Sequence, residues 1–103
     1  MRLVIGLFLC LLLVDLETNE LYFDVALGLD PKLTKLRLKM GQGIAGTVAQ
    51  TGESLRIEDA RRDPRFTALY GQRTEIGSLV AVPLSWGKKV LGVLTASRRE
   101  VRG

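Results

Sequence analysis

Residues 40 to 66 read MGQGIAGTVAQTGESLRIEDARRDPRF, and this stretch is the most informative part of the chain because several backbone signals follow one another along it. Ile44 and Val48, together with Ala45 and Ala49, form an apolar stripe with the i, i+4 repeat of one small helix, and Gly52 is predicted to end that helix. Three more glycines surround the stripe: Gly41, Gly43 and Gly46. The first half of the stretch therefore predicts a short helix packed on a sheet.

The second half of the stretch predicts a strand and a second helix. Leu55 and Ile57 alternate with polar neighbours, which is the period-2 pattern of a half-buried strand. Asp63 suits the N-cap of the next helix, and Pro64 suits its first position, where a missing N–H costs nothing. Apolar residues then recur at the spacing of one helical face, with a glycine predicted to end the helix: Phe66, Leu69, Tyr70 and Gly71.

The rest of the chain supplies further strands with turn residues between them. The predicted strands and extended segments are Leu9 to Asp15, Glu20 to Leu27, Leu36 to Met40, Ile76 to Leu84 and Lys89 to Ser97. Residues 17 to 19 are predicted to turn the first hairpin, and residues 85 to 88 the last one. We predict one antiparallel sheet, with the two short helices between its third and fifth strands.

The order of these signals, GxGIAGxVAxTGExLxIxDxRxDPRF followed by SLVAVPL and KVLGVL, resembles that of a GAF domain over residues 8 to 97. The resemblance implies an α+β fold of the GAF/PAS type, with a central antiparallel sheet of about five or six strands and short helices on one face. It also implies a regulatory role in signal transduction. Such domains occur in bacterial histidine kinases, cyclic-nucleotide and cyclic-dinucleotide enzymes and transcriptional activators, where they sense or dimerise and rarely catalyse.

The composition predicts one folded domain over residues 1–103. Hydrophobic residues make up 47% and charged residues 25% of the chain, as in ordinary globular proteins. The net charge of +4 comes from 15 basic and 11 acidic residues, with arginines clustered in mid-chain and in a basic tail at residues 98–103. No aromatic residues are interleaved with these arginines and no recognition-helix pattern appears, so we predict a solvated face and no nucleic-acid partner.

The chain has no histidine and a single cysteine, Cys10, which lies in an apolar run. This composition excludes Cys–His nucleophiles, structural zinc and an internal disulfide. It also departs from the GAF-type methionine sulfoxide reductases, which use several cysteines. Phytochrome-like members attach a bilin to one cysteine near the chromophore pocket, and Cys10 does not resemble that cysteine by position. Cys10 is predicted to be a small core residue. No two carboxylates are placed together for acid–base work, so we predict no catalytic residue, metal or cofactor.

The N-terminus has two interpretations. Residues 3 to 14, LVIGLFLCLLLV, follow Arg2 and are similar to the charged and apolar regions of a secretory signal, although the run is too short for a membrane span and no small-residue cleavage site follows it. Alternatively, Leu9 to Asp15 is the first strand, continuously apolar because it is buried on both faces. The resemblance favours the strand, since LLLVDLETNELYFDVALG is similar to the opening GAF hairpin.

The family also places a helix before this strand and another after the last strand. Residues 1–7 are atypical for the first of these helices, and the chain has no pattern for either, so it is interpreted as the middle of a GAF domain. We expect the sheet face that those helices would cover to be exposed or covered by a partner.

The glycine-rich segment GQGIAG at residues 41–46 matches the GxGxxG expression of phosphate-binding loops. It lacks both the GK[ST] ending of a P-loop and a preceding long parallel strand. We interpret its glycines as allowing the helix to approach the sheet closely, as the family uses them.

The resemblance further implies a ligand pocket between the sheet and the elements that join its third and fourth main strands. The residues that map to it are Arg62, Asp63, Phe66, Tyr70, Ile76, Ser78 and Leu79. In such a pocket the two aromatic rings would stack on a purine or cap an apolar ligand, Ser78 would donate a hydrogen bond, and Arg62 or Arg65 would meet a phosphate. Alternatively, the aromatic residues are plain core and Asp63 only caps its helix.

Cyclic-nucleotide-binding members of the family carry an Asn-Lys-Phe-Asp-Glu signature, whereas residues 71–77 read GQRTEIG, which argues against cyclic GMP or cyclic AMP. Two functions of different classes remain. One is a cytoplasmic regulatory module in which a small molecule shifts a conformational or dimer equilibrium. The other is a ligand-free domain that forms a homodimer or docks on another signalling protein. A third hypothesis is a truncated remnant of a larger sensor.

Overall fold

The computed structural model describes residues 7–28, 33–70 and 76–98, and within them one six-stranded antiparallel sheet is covered by two helices. The strands are β1 (Leu7–Asp15), β2 (Glu20–Leu27), β3 (Arg37–Lys39), β4 (Leu55–Ile57), β5 (Ser78–Trp86) and β6 (Lys89–Arg98). The helices are α1 (Gly43–Thr51) and α2 (Pro64–Tyr70), with 3₁₀ turns at Leu33–Lys35 and Ala60–Arg62. The strand order is β3-β2-β1-β6-β5-β4, so β1 and β6 lie at the centre. The predicted α+β fold is confirmed.

The first hairpin forms where the sequence predicts it. Asn19 has a φ of 59° and donates its backbone N–H to the Asp15 carbonyl oxygen at 2.8 Å. The Asp15 carboxylate accepts the backbone N–H of Glu17 and the guanidinium of Arg37, at 2.9 and 2.6 Å. Both hydrogen bonds lower the pKa of Asp15, and the bond from the Glu17 backbone has the larger effect. Residues 7 to 14 of the apolar N-terminal run lie in strand β1, which pairs with β2 and β6. The predictions for residues 1–6 lie outside the described residues.

The central strand β1 buries one face only, which corrects the prediction that both of its faces are buried. Phe8, Cys10 and Leu12 are 1 to 3% exposed and belong to the core under the helices, on what we call the inner face of the sheet. Leu9 points to the opposite, outer face and is 39% exposed, because side chains alternate along a strand and the described helices cover only the inner face. In the described ranges, no helix is long and apolar enough to span a bilayer.

Helix α1 lies very close to β3, and its glycines explain how. A β-carbon placed on Gly46 would stand 2.6 Å from the carbonyl oxygen of Lys39, so only glycine fits there. The Gly41 N–H donates to the Gly46 carbonyl oxygen at 2.8 Å and closes this corner. Gly52 ends the helix with a φ of 73° and donates to the Val48 carbonyl oxygen at 2.8 Å. The structural interpretation of the glycine-rich segment is confirmed.

The bounds of β2 are those predicted, whereas several other strand ends differ from the sequence predictions by one or two residues. The fifth strand begins at Ser78, later than the predicted Ile76, and continues to Trp86, which pairs with Lys89 beyond a register shift at Leu84. The turn of this hairpin is therefore shorter than the predicted residues 85 to 88. The predicted end of α2 at Gly71 and the polar loop to residue 75 lie outside the described part of the chain.

Candidate functional site

A cavity of about 50 Å³ lies between the inner face of the sheet and the two helices. Inward side chains of the strands form one wall: Cys10, Leu12, Phe23, Leu38, Leu79, Thr95 and Ser97. The opposite wall is formed by the first turn of α1, by α2 and by the residue two positions before β5: Ile44, Ala45, Phe66, Leu69 and Ile76. The cavity therefore lies where the helical layer meets the central strands.

The sheet register brings the polar groups of this wall together. Cys10 of β1 pairs with Thr95 of β6, and Phe8 pairs with Ser97 in the same way. Burial raises the pKa of the Cys10 thiol, and the hydrogen bond with the Thr95 side chain opposes this only in part. Cys10 is thus a neutral thiol that lines the cavity, rather than a thiolate nucleophile. Its burial confirms the prediction that it is a core residue.

Three of the seven predicted site residues meet at this cavity. Phe66 is 3% exposed, and Ile76 and Leu79 are each 7% exposed, so all three combine lining and core roles. Tyr70 is the last residue of α2, but its side chain lies outside the described part of the structure.

Three other predicted site residues lie elsewhere. Asp63 accepts the Arg65 backbone N–H and the Arg65 guanidinium, each at 2.9 Å, so it stabilises the start of α2 as an N-cap does. The hydrogen bond from the Arg65 side chain holds the pKa of Asp63 below its usual range. The Arg62 side chain is 89% exposed and lies 3.5 Å from the Asp59 carboxylate. Ser78 is buried and faces a separate groove at the β4 edge of the sheet.

Sequence reasoning missed the polar residues of the cavity. Thr95 and Ser97 stand two positions apart in a strand that was predicted, with Leu94 and Ala96 on its other face. Two hydroxyl residues on the buried side of a strand are a signal of a polar spot in the core, because buried polar groups need partners. Among the described residues, no three His, Cys, Asp or Glu side chains are grouped to hold a metal ion.

The described residues form an α+β domain with one antiparallel sheet, two helices on its inner face and a cavity between the two layers. The model of the GAF domain family matches residues 3–102, and the chain belongs to this family.

Two curated relatives share this sequence region. The chain is 34% identical over 96 residues to a probable 3′,5′-cyclic phosphodiesterase, pde-5, of Caenorhabditis elegans, covering 82% of this chain and 13% of the relative. It is 31% identical over 87 residues to the Nif-specific regulatory protein of Herbaspirillum seropedicae, covering 80% of this chain and 16% of the relative. The chain thus spans less than a fifth of either protein. The prediction of a regulatory, sensory module is confirmed at the level of the family.

Two solved structures share the fold. The GAF domain of a phosphoenolpyruvate-protein phosphotransferase from Coxiella burnetii is 26% identical, with a TM-score of 0.77 over 91% of this chain and 57% of that one. The free methionine-R-sulfoxide reductase of Neisseria meningitidis, solved with its substrate, is 23% identical, with a TM-score of 0.79 over 92% of this chain and 53% of that one. At 23% identity, the similarity to the reductase shows a shared fold alone. This fold therefore occurs in an enzyme as well as in regulatory domains.

Proposed function

We propose that this chain is a non-catalytic sensory module, located in the cytoplasm, whose regulatory output changes when a small molecule occupies the cavity under α1 and α2. The observation that carries the proposal is the cavity itself, which is lined by side chains of the central strands and of both helices. A ligand held there contacts the sheet and the helices at once, so its binding energy favours one arrangement of the two layers over others. The neutral, buried Cys10 supports a binding role rather than a catalytic one.

Ligand binding in the cavity is expected to stabilise the domain against heat. A ligand at 100 times its dissociation constant adds about 2.7 kcal/mol to the free energy of unfolding, because it binds only the folded state. We would measure the unfolding midpoint by thermal shift against a library of metabolites that includes neutral, anionic and nucleotide members. A saturable rise in the midpoint with at least one member is the expected result.

Ala45→Val locates the binding site, because it adds two methyl groups to the cavity wall. The ligand-induced shift should disappear in this variant and persist in Ala68→Val, which makes the same change on an exposed position of α2. A shift that survives Ala45→Val would place the ligand elsewhere, and a library without any active member would contradict the binding function.

The second candidate function, homodimer formation, is favoured by the outer face of the sheet. Six exposed apolar side chains lie on this face: Leu9, Val25, Leu27, Val80, Leu84 and Leu94. Cross-strand partners such as Leu9 and Leu27 point to the same side, so these residues form one continuous surface. The four strands that carry these residues, β2, β1, β6 and β5, lie ~4.8 Å apart and are ~30 Å long, so this face has an area of roughly 570 Å². This area is close to the ~600 Å² per partner of the smallest standard interfaces, so we propose a weak dimer.

Leu94→Lys is expected to shift this dimer towards monomer, because it places a charge at the centre of the buried surface. Sedimentation equilibrium over a range of concentrations would measure the change in the association constant. Leu16→Lys serves as the matched control, since Leu16 is 71% exposed in the first hairpin turn, away from the outer face. A chain that is monomeric at every concentration would contradict the dimer and leave the ligand-binding proposal untouched.

A further inference from the structure

Three neutral polar side chains lie together on one wall of the cavity. Cys10 faces Thr95 across the β1–β6 pair, and Ser97 is the next inward residue along β6. Cys10 and Ser97 are only 3% and 5% exposed, so their polar atoms lie inside the protein. A hydroxyl both donates and accepts hydrogen bonds. This side of the wall is therefore suited to one neutral oxygen or sulfur atom of a ligand.

The rest of the described wall consists of hydrocarbon side chains, and no charged side chain among the described residues lines the cavity. Arg62 and Arg65, which would have met a phosphate, instead contact Asp59 and Asp63 outside the cavity wall. An anion moved into such a space would lose its hydration without gaining a counter-charge. This desolvation weakens binding by roughly a thousandfold or more.

The N-terminus of helix α1, in contrast, favours a negatively charged ligand. Ile44 and Ala45 belong to the first turn of α1, and the N-cap residue Gln42 makes no side-chain capping hydrogen bond there. A helix N-terminus favours a negative group by about thirtyfold at most in partly buried sites. Since this gain is smaller than the desolvation loss, a neutral ligand is favoured, with its electron-rich oxygen near the helix.

The size of the cavity limits the ligand further. Its volume of about 50 Å³ is well below the ~150 Å³ of an engineered cavity that holds benzene. A nucleotide is excluded on both size and charge.

We propose, on the basis of the ligand-binding function proposed above, that the cavity selects a small, uncharged, mainly apolar molecule with one hydroxyl, thiol or carbonyl group, which Thr95 and Ser97 hydrogen bond. Carboxylates, phosphates and nucleotides are rejected.

A matched pair of probes tests this class of ligand on the unaltered chain. The two probes are ethanol and acetate, which share a two-carbon skeleton small enough for this cavity but differ in charge, and nitrate serves as a small inorganic anion. Titration followed by two-dimensional NMR would measure affinity and location together. We expect saturable shifts at the amides of β1, β6 and α1 with the alcohol, and none with either anion.

Removal of a hydrogen-bonding group from the cavity wall should weaken the binding of the alcohol without affecting the fold. Ser97→Ala is expected to raise the dissociation constant roughly 2- to 12-fold, the usual effect of one neutral hydrogen bond, while Ser85→Ala, at an exposed serine of β5, leaves it unchanged. Thr95→Val is the alternative variant if Ser97→Ala does not fold.

The binding measurements distinguish a wrong ligand class from the absence of a ligand-binding function. Tighter binding of an anion than of the alcohol, abolished by Ala45→Val, would overturn the proposed class but keep the binding function. The same conclusion follows if the alcohol does not bind while a charged member of the metabolite library does. Absence of saturable binding by every compound would overturn both.

Discussion

Gly46→Ala is expected to destabilise the domain by about 3 kcal/mol, the upper end of the usual cost of overpacking. In an ordinary helix interior the same change stabilises by roughly 0.5–1 kcal/mol, because alanine loses less backbone entropy than glycine. Here the new β-carbon would lie 2.6 Å from the Lys39 carbonyl oxygen and 3.3 Å from the Gly41 nitrogen. Both obstacles are backbone atoms, so α1 would have to move away from β3. Thermal or urea unfolding measures the effect, and a fall in the midpoint of about 10 °C or more is expected.

Gly46→Ala should therefore lower stability at this position, although the same substitution raises it in an ordinary helix interior. Gln50→Ala, on an exposed position of the same helix, tests helix propensity without the steric contact and should change stability by less than about 0.5 kcal/mol. If Gly46→Ala were as stable as the unaltered chain, the close approach of α1 to β3 would not exist in solution.

Phe66→Ala is expected to cost about 3–5 kcal/mol, the range for removing a buried aromatic side chain. Phe66 is 3% exposed and lies in both the core and the cavity wall, so its loss removes packing and enlarges the cavity at the same time. Because folded domains have a free energy of unfolding of only about 5–15 kcal/mol, this variant is expected to be partly unfolded at moderate temperature. Circular dichroism with urea titration measures the loss.

A small apolar probe distinguishes cavity enlargement from general disruption of the fold. Benzene should raise the unfolding midpoint of Phe66→Ala, as it occupies engineered cavities of about 150 Å³, and should leave that of the unaltered chain unchanged. Phe66→Leu, which keeps most of the volume, should cost less than about 1.5 kcal/mol and show no rescue. Equal stability of Phe66→Ala and the unaltered chain would show that Phe66 is not in the core.

Local signals predicted most of the elements, because each signal acts within a few residues. Gly52 ends α1 through its left-handed conformation, and Asp63 binds the backbone N–H of the first turn of α2, both as the residue types suggest. Asn19 closes the first hairpin in the same local way. Strand ends were predicted less well. The strand at Ser78 begins two residues late and ends two residues late, since pairing with β6, rather than its own sequence, sets where it stops.

The sequence predicts only part of the candidate site, because some of its residues come together through strand pairing rather than through local signals. Phe66, Ile76 and Leu79 carry apolar patterns that mark burial, and the structure brings them to the cavity wall. Thr95 and Ser97 become cavity residues only through the pairing of β6 with β1, in which they lie opposite Cys10 and Phe8 from the other end of the chain. Arg62 and Asp63 were placed at the site by resemblance, but short-range bonds to Asp59 and Arg65 hold them outside the wall.

The GAF family, the order and type of nearly all the elements, and the role of glycines at the helix–strand corner could be predicted from the sequence, since these depend on backbone conformation and on spacing along the chain. The three-dimensional packing was needed to show which face of the apolar strand β1 is buried, that the described residues around the cavity leave a small space without charged side chains, and that apolar side chains on the outer face are exposed within the described part of the chain. Those properties arise from sheet register and from how two layers pack, and packing joins residues whose separation in the chain carries no signal of their contact.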